Sequence, residues 1–227
     1  MGEEDKLKGL NLFDGNHFTF LAHNSYVFEM NHAFFPLLPY LQERLGLFLP
    51  IFGESQLNFL LQQGFVALGA FVFYKLSCKI LPSEQQAFDC TVLYSLNHAL
   101  LYSVASYSEP LFNFLTFTGF YVLLFKNEDF SQDQAKEQKP ITSLQLLCGA
   151  FCFGTATLCR STGILALPIL VLIMIGKVWQ QKESFCKVYK YFIVCALVVG
   201  VMMMPFITVL YWKPWELHCD TKIDRTD

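Results

Sequence analysis

An acid, an amide and a histidine stand together near the start of the chain, in Asp14-Gly15-Asn16-His17, with Phe13, Phe18 and Phe20 around them. Two more ionisable groups lie far off in sequence, each at the edge of an apolar run. They are Glu109 in Ser106-Tyr107-Ser108-Glu109-Pro110 and Arg160 in Arg160-Ser161-Thr162-Gly163. A carboxylate held beside aromatic rings can act as a general base, although an aspartate beside glycine and asparagine is also common in a plain turn. A guanidinium offers a planar fork that suits a phosphate or another oxyanion. Glu109 precedes Pro110, and proline fits the first position of a helix, so this carboxylate can also face a positive helix start. Ahead of it, Tyr94, His98 and Tyr102 recur at intervals of four and form a polar stripe with Asn97.

The surroundings of these residues are apolar. Of 227 residues, 54% are hydrophobic, 16% aromatic and only 15% charged, and the mean hydropathy is +0.39, outside the balance of a soluble domain. Runs near the length needed to cross hydrocarbon, about 20 residues, occur at Leu57 to Leu76, Ala87 to Ala105, Pro110 to Phe125, Thr142 to Cys159, Gly163 to Val178 and Val188 to Trp212. The expectation is an all-α, polytopic transmembrane bundle of about six spans. Residues 1–56 form a first loop before the spans, 57–212 the bundle, and 213–227 a short tail. Within the loop, His32 to Pro50 is apolar but interrupted by Pro36 and Pro39, and reads as an interfacial segment that does not cross. Lys126 to Lys139 is too polar to bury and reads as a solvated loop. The first ten residues lack the apolar run of a secretory signal.

Alternating the six spans places Lys75, Lys79, Lys126, Lys136, Lys139, Lys177, Lys182, Lys187 and Lys190 on one side, while the short loops of the other side hold only Arg160. The lysine-rich side should be cytoplasmic. On that assignment the segment before Leu57, the turn at Tyr107 to Glu109, Arg160 and the tail after Trp212 share the opposite, lumenal side. The three candidate groups thus converge on one face. An arginine at a membrane edge can also be a snorkelling residue, at less than the ~2.5–3.5 kcal/mol assigned to mid-bilayer. His98 fits an interhelical hydrogen bond as well as a cavity wall.

Several functions are excluded or unsupported. A net charge of −3 offers no basic footprint for nucleic acid. The 8 cysteines fall mostly inside apolar runs as small hydrophobes. Cys148 and Cys152 share a helical face but have no second pair and no histidine spacing, so no metal site is expected. There is no Walker sequence, nucleotide-binding glycine pattern, HExxH or serine elbow, and no N-x-[ST] acceptor.

The stretch Phe13-Asp14-Gly15-Asn16-His17-Phe18, followed by Tyr26, Glu29, Asn31 and Ala33-Phe34-Phe35-Pro36-Leu37-Leu38-Pro39, resembles the first lumenal loop of the GPI mannosyltransferase 2 family, the phosphatidylinositol glycan class V type. Ser106-Tyr107-Ser108-Glu109-Pro110-Leu111-Phe112 and Arg160-Ser161-Thr162-Gly163 resemble its next two characteristic segments, in the same order. The resemblance implies a GT-C type fold and an endoplasmic reticulum enzyme that adds the second, α1,6-linked mannose to a GPI precursor from dolichol-phosphate mannose. It implies no metal and no cofactor, and membrane lipids as surroundings. Asp14 would be the base of an inverting transfer, Arg160 would stabilise the leaving phosphate, and His17, Tyr107 and Glu109 would contact sugar or phosphate. Phe13 departs from the tryptophan usual before the loop acid. The family also has a helix ahead of this loop and more beyond Trp212, so the resemblance implies an internal portion or a shortened form. The rival expectation is a non-catalytic membrane protein, either an inactive paralogue serving as a subunit or a small transporter. The transporter form would show internal repeats, and none is evident.

Overall fold

The structure, a computed structural model, describes residues 14–24, 26–96, 107–124, 141–180 and 185–208. Among these residues the regular structure is all helical, with no strand. The helices are α1 (Asp14–Asn24), α2 (Leu37–Phe48), α3 (Glu54–Ile80), α4 (Glu84–Ser95), α5 (Glu109–Leu124), α6 (Ser143–Thr157), α7 (Ala166–Gln180) and α8 (Phe185–Ile207), with 3-10 turns at Glu29–Ala33 and Ser161–Leu165.

Local chemistry explains the boundaries. The acid Glu54 in the first turn of α3 and Lys79 in its last complement the helix dipole. Pro82 follows the end of α3, and the Ser83 hydroxyl then accepts from the Gln86 N–H at 3.2 Å to start α4. At α6 a reciprocal cap forms: the Gln145 N–H donates to Thr142 Oγ1 at 3.3 Å, and the Thr142 N–H donates to Gln145 Oε1 at 2.9 Å. Gln145 also donates through Nε2 to the Val122 carbonyl at 3.2 Å, tying α6 to α5.

α3 spans 27 residues, about 40 Å at the helical rise, longer than the ~30 Å of bilayer hydrocarbon. Only 22% of its most apolar window is buried. It thus presents its apolar surface outwards, unlike the core helix of a soluble protein. The sequence led us to expect about six such spans. Among the described residues α3 is the one helix that meets both the length and the hydropathy of a crossing segment, with α6 and the 161–173 stretch apolar but shorter. The 15 residues of α6 and the 15 of α7 measure about 22 Å each. The expected second span continues only to Ser95 among the described residues. The expected loop at Lys126 to Lys139, and the tail after Trp212, lie outside them.

Of the two prolines expected to interrupt the 32–50 segment, only Pro36 marks an element boundary. Pro36 is the N-cap of α2 and Pro39 falls in its first turn, where the missing N–H would have had no partner anyway. The last residue of α2 and the short linker after it are exposed and apolar, with Phe48 at 79% and Ile51 at 92% exposure.

Two clusters hold the helices together. In one, Leu123, Leu146, Ala150, Phe153, Ala166, Leu170, Val198 and Met202 join α5, α6, α7 and α8. Close approach there requires glycine: a Cβ on Gly154 would meet the Val201 carbonyl oxygen at 2.8 Å, and one on Gly119 the Phe153 ring at 2.8 Å. In the other, Phe18, Leu38, Leu111 and Cys159 join α1, α2, α5 and the turn after α6. This second cluster positions the candidate site.

Candidate functional site

Three of the four buried members of the second cluster are near neighbours in sequence of candidate residues. Phe18 lies one helical turn beyond Asp14, Leu111 two residues beyond Glu109, and Cys159 directly before Arg160. Burying the three apolar side chains together therefore brings the three ionisable ones to a common rim. The result is a cavity of about 180 Å³, lined by Asp14 and Phe18 of α1, Ala33, Phe34 and Phe35, Tyr107, Ser108 and Glu109 at the start of α5, and Cys159, Arg160 and Ser161. It is smaller than the ~300–1,000 Å³ of typical ligand pockets, and suits one sugar ring or a phosphate better than an extended glycan.

Asp14 is the first residue of α1 and is exposed. The sequence left a turn aspartate open at this position, because Asp-Gly-Asn opens many turns. Here a helix begins instead, since Phe18 and Leu21 bury on one face. Arg160 and Glu109 form an ion pair in which Arg160 Nη1 donates to Glu109 Oε1. Their side chains are 38% and 34% exposed, so the pair contributes under about 1 kcal/mol. The second carboxylate oxygen, Oε2, is buried with no hydrogen-bond partner.

The turn that presents Arg160 is fixed by its backbone. The Arg160 N–H donates to the Ala156 carbonyl at 3.1 Å, and the Gly163 N–H to the Arg160 carbonyl at 3.0 Å. The Leu37 N–H at the start of α2 donates to the Leu158 carbonyl at 3.0 Å, binding the first segment of the chain to this turn. Gly163 lies so close to α6 that a Cβ would sit 2.7 Å from the Thr157 nitrogen.

The aromatic wall is held as firmly. The Tyr26 hydroxyl donates to the Phe34 carbonyl at 2.7 Å, and burial pushes the Tyr26 phenol pKa well above its ordinary value, keeping the proton that makes this bond. The Phe34 ring stacks on His17 with centroids 4.7 Å apart and planes at 15°, and meets Phe18 edge-on at 5.3 Å.

Of the five residues expected from sequence, Asp14, Tyr107, Glu109 and Arg160 line the cavity, and His17 does not. His17 instead stacks on Phe34, which does line it. Phe34, Phe35 and Ser108 were not singled out as site residues, although they lie within the recognised segments. Tyr94 of the polar stripe is not at the cavity: its hydroxyl accepts from Asn113 Nδ2 at 3.4 Å, one turn along α5 from Glu109, and its ring packs on Phe73 and Phe117. Asn97, His98 and Tyr102 lie outside the described residues. Among the described residues no cluster of three metal-ligating groups occurs, and Cys78, Cys90, Cys148, Cys152 and Cys159 are free thiols.

Fold and site define a helical protein with a membrane-length helix, whose ionisable groups meet at helix ends around a small cavity. Comparison with known proteins makes the class specific. The family model described as mannosyltransferase (PIG-V) matches residues 3–224, and the chain belongs to that family. It is 35% identical over 131 residues to a GPI alpha-1,6-mannosyltransferase 2 of Cricetulus griseus, covering 51% of this chain and 25% of the relative. To that of Homo sapiens it is 31% identical over 180 residues, covering 74% of this chain and 32% of the relative. A GPI mannosyltransferase 2 of Drosophila pseudoobscura pseudoobscura aligns at 23% identity with 96% of this chain and 47% of the relative. The chain thus spans about a quarter to a half of the length of these relatives. No solved structure matches it.

Proposed function

We propose that this chain carries the donor-and-base portion of a GPI mannosyltransferase, moving the second, α1,6-linked mannose from dolichol-phosphate mannose to a GPI precursor at the lumenal face of the endoplasmic reticulum. The observation that carries the reading is the meeting of Asp14, Glu109 and Arg160, from three distant segments, around one sugar-sized cavity in a member of the mannosyltransferase family. α3 and the apolar helices after it form a GT-C-like, multi-pass bundle of about six spans, with the lysine-rich loops cytoplasmic. Donor and acceptor are both lipids of the bilayer, so reaction at helix ends is where their sugars can meet.

In this mechanism an acceptor hydroxyl oxygen attacks the anomeric carbon of mannose while Asp14 takes its proton. The bond from that carbon to the phosphate oxygen breaks, and its electron pair leaves with dolichyl phosphate. Arg160 stabilises the charge developing on the phosphate, in the role a cation would otherwise fill. A single displacement inverts the configuration at the anomeric carbon. Tyr107 and Glu109 contact the sugar, and His17 acts through Phe34. The test is transfer of labelled mannose by membranes containing this chain, with no endogenous enzyme. Asp14→Asn should lower the rate at least ~10²-fold, and equal rates would refute the assignment.

A further inference from the structure

The pairing of Arg160 conflicts with the seat just proposed for the donor phosphate. An arginine fork accepts a carboxylate or a phosphate with the same donors, and here Nη1 already donates to Glu109. The cavity lining also carries two carboxyl side chains, Asp14 and Glu109, against the one guanidinium, an unfavourable welcome for a further anion. Glu109 is only half satisfied in this arrangement, since its Oε2 is buried with no donor. The pair is nevertheless easy to open. Both side chains are more than one-third exposed, so parting them strands no fully desolvated charge.

We infer that Glu109 is a placeholder for the donor phosphate: it occupies the anion seat of Arg160 while the cavity is empty, and the phosphate of a lipid-linked sugar displaces it. Once displaced, Glu109 turns both oxygens to hydroxyl donors of the sugar. The empty cavity thereby avoids an uncompensated guanidinium, and the acid is released for sugar contact only when the phosphate has arrived. This rests on the phosphate reading of Arg160 given above and adds a role for its partner.

The experiment measures binding of dolichyl monophosphate, and separately of inorganic phosphate, to the 227-residue chain in lipid nanodiscs. Arg160→Gln should weaken lipid-phosphate binding at least ~10-fold. Glu109→Gln should tighten it about two- to fivefold, the range expected for removing a competing ion pair of this exposure. A damaged fold would not produce a gain. Asp14→Asn removes an equal side-chain charge from the same cavity but leaves the pair in place, and should tighten binding less. If Glu109→Gln fails to fold, Glu109→Asp loosens the pair with its charge retained and should still bind more tightly than the unmodified chain.

Binding that depends on Arg160 but is unchanged or weakened in the Glu109 variants overturns the placeholder and leaves the phosphate seat standing. Absence of binding in every variant overturns both. Inorganic phosphate that matches the lipid across the series would keep the placeholder and overturn its assignment to a lipid donor.

Discussion

Replacing Gly163 by alanine tests how Arg160 is held. The added Cβ would lie 2.7 Å from the Thr157 nitrogen and 2.9 Å from both the Ala156 carbonyl carbon and the Thr157 Cα. Ordinary contact begins at 3.4 Å, so the turn must retreat from α6 by about 0.7 Å at the tightest point. The atoms it meets are backbone at a fully buried helix end, Ala156 and Thr157 both being 0% exposed, and no rotamer can relieve them. Overpacking of this kind costs about 1–3 kcal/mol, or roughly 2–4 °C in Tm per kcal/mol for a chain of this length. The Gly163 N–H is bonded to the Arg160 carbonyl, so the guanidinium moves with the turn, and a misplacement approaching 1 Å can lower a rate ~10²-fold. The assay is thermal unfolding of the purified chain in detergent, with the other seven of its 8 cysteines replaced by serine, followed by a thiol-reactive dye that reports exposure of Cys159, 2% exposed when folded. Gly64→Ala is the control: nothing lies within 4 Å of its added Cβ, and alanine inside a helix gains about 0.5–1 kcal/mol. If Gly163→Ala unfolds at or above the temperature of the unmodified chain, the account of the Arg160 turn is wrong.

Three further substitutions probe other parts of the framework. Gly154→Ala pushes α6 from α8 through the Val201 carbonyl 2.8 Å from its Cβ, and should cost about 1–3 kcal/mol in the same assay; a neutral result would mean the helices are not in close contact. Tyr26→Phe removes the 2.7 Å bond to the Phe34 carbonyl and should destabilise by about 1–2 kcal/mol, with ring-current shifts at His17 by NMR marking the loosened wall. His23→Ala breaks an exposed pair with Glu54 at 2.9 Å and should change stability by less than about 1 kcal/mol; a larger effect would show that this pair anchors α1 to α3.

The helical ladder from α3 onwards could be read from the apolar runs, because each run is bounded by charged, proline or turn residues. The Leu57 to Leu76 run became α3 with its ends extended to Glu54 and Ile80, since the Gly53 break and the Pro82 stop lie outside the apolar stretch that first marks it. The helix boundaries were less legible than the helices themselves. Hydropathy alone does not show where a run is cut, and the turn after Thr157 gives part of the Gly163 to Val178 run to a 3-10 segment. α1 was also hidden: Asp14-Gly15-Asn16 has turn composition, and the helix is stabilised by burying Phe18 and Leu21 against distant residues. The gathering of Asp14, Tyr107, Glu109 and Arg160 followed from placing residues at alternate helix ends. Which of them would pair was beyond that argument. So was the exclusion of His17, which depends on the direction of one ring against Phe34.

The pairing gives the site a division of labour that individual residues do not reveal. Phe18, Leu111 and Cys159 hold the three ionisable groups at the rim. The most direct test of the central claim is complementation in cells lacking their own second GPI mannosyltransferase, scoring surface GPI-anchored protein with this chain and with its Asp14→Ala variant at equal expression. The account predicts anchors restored by the unmodified chain and not by the variant. Restoration by both, or by neither although both accumulate, would contradict it.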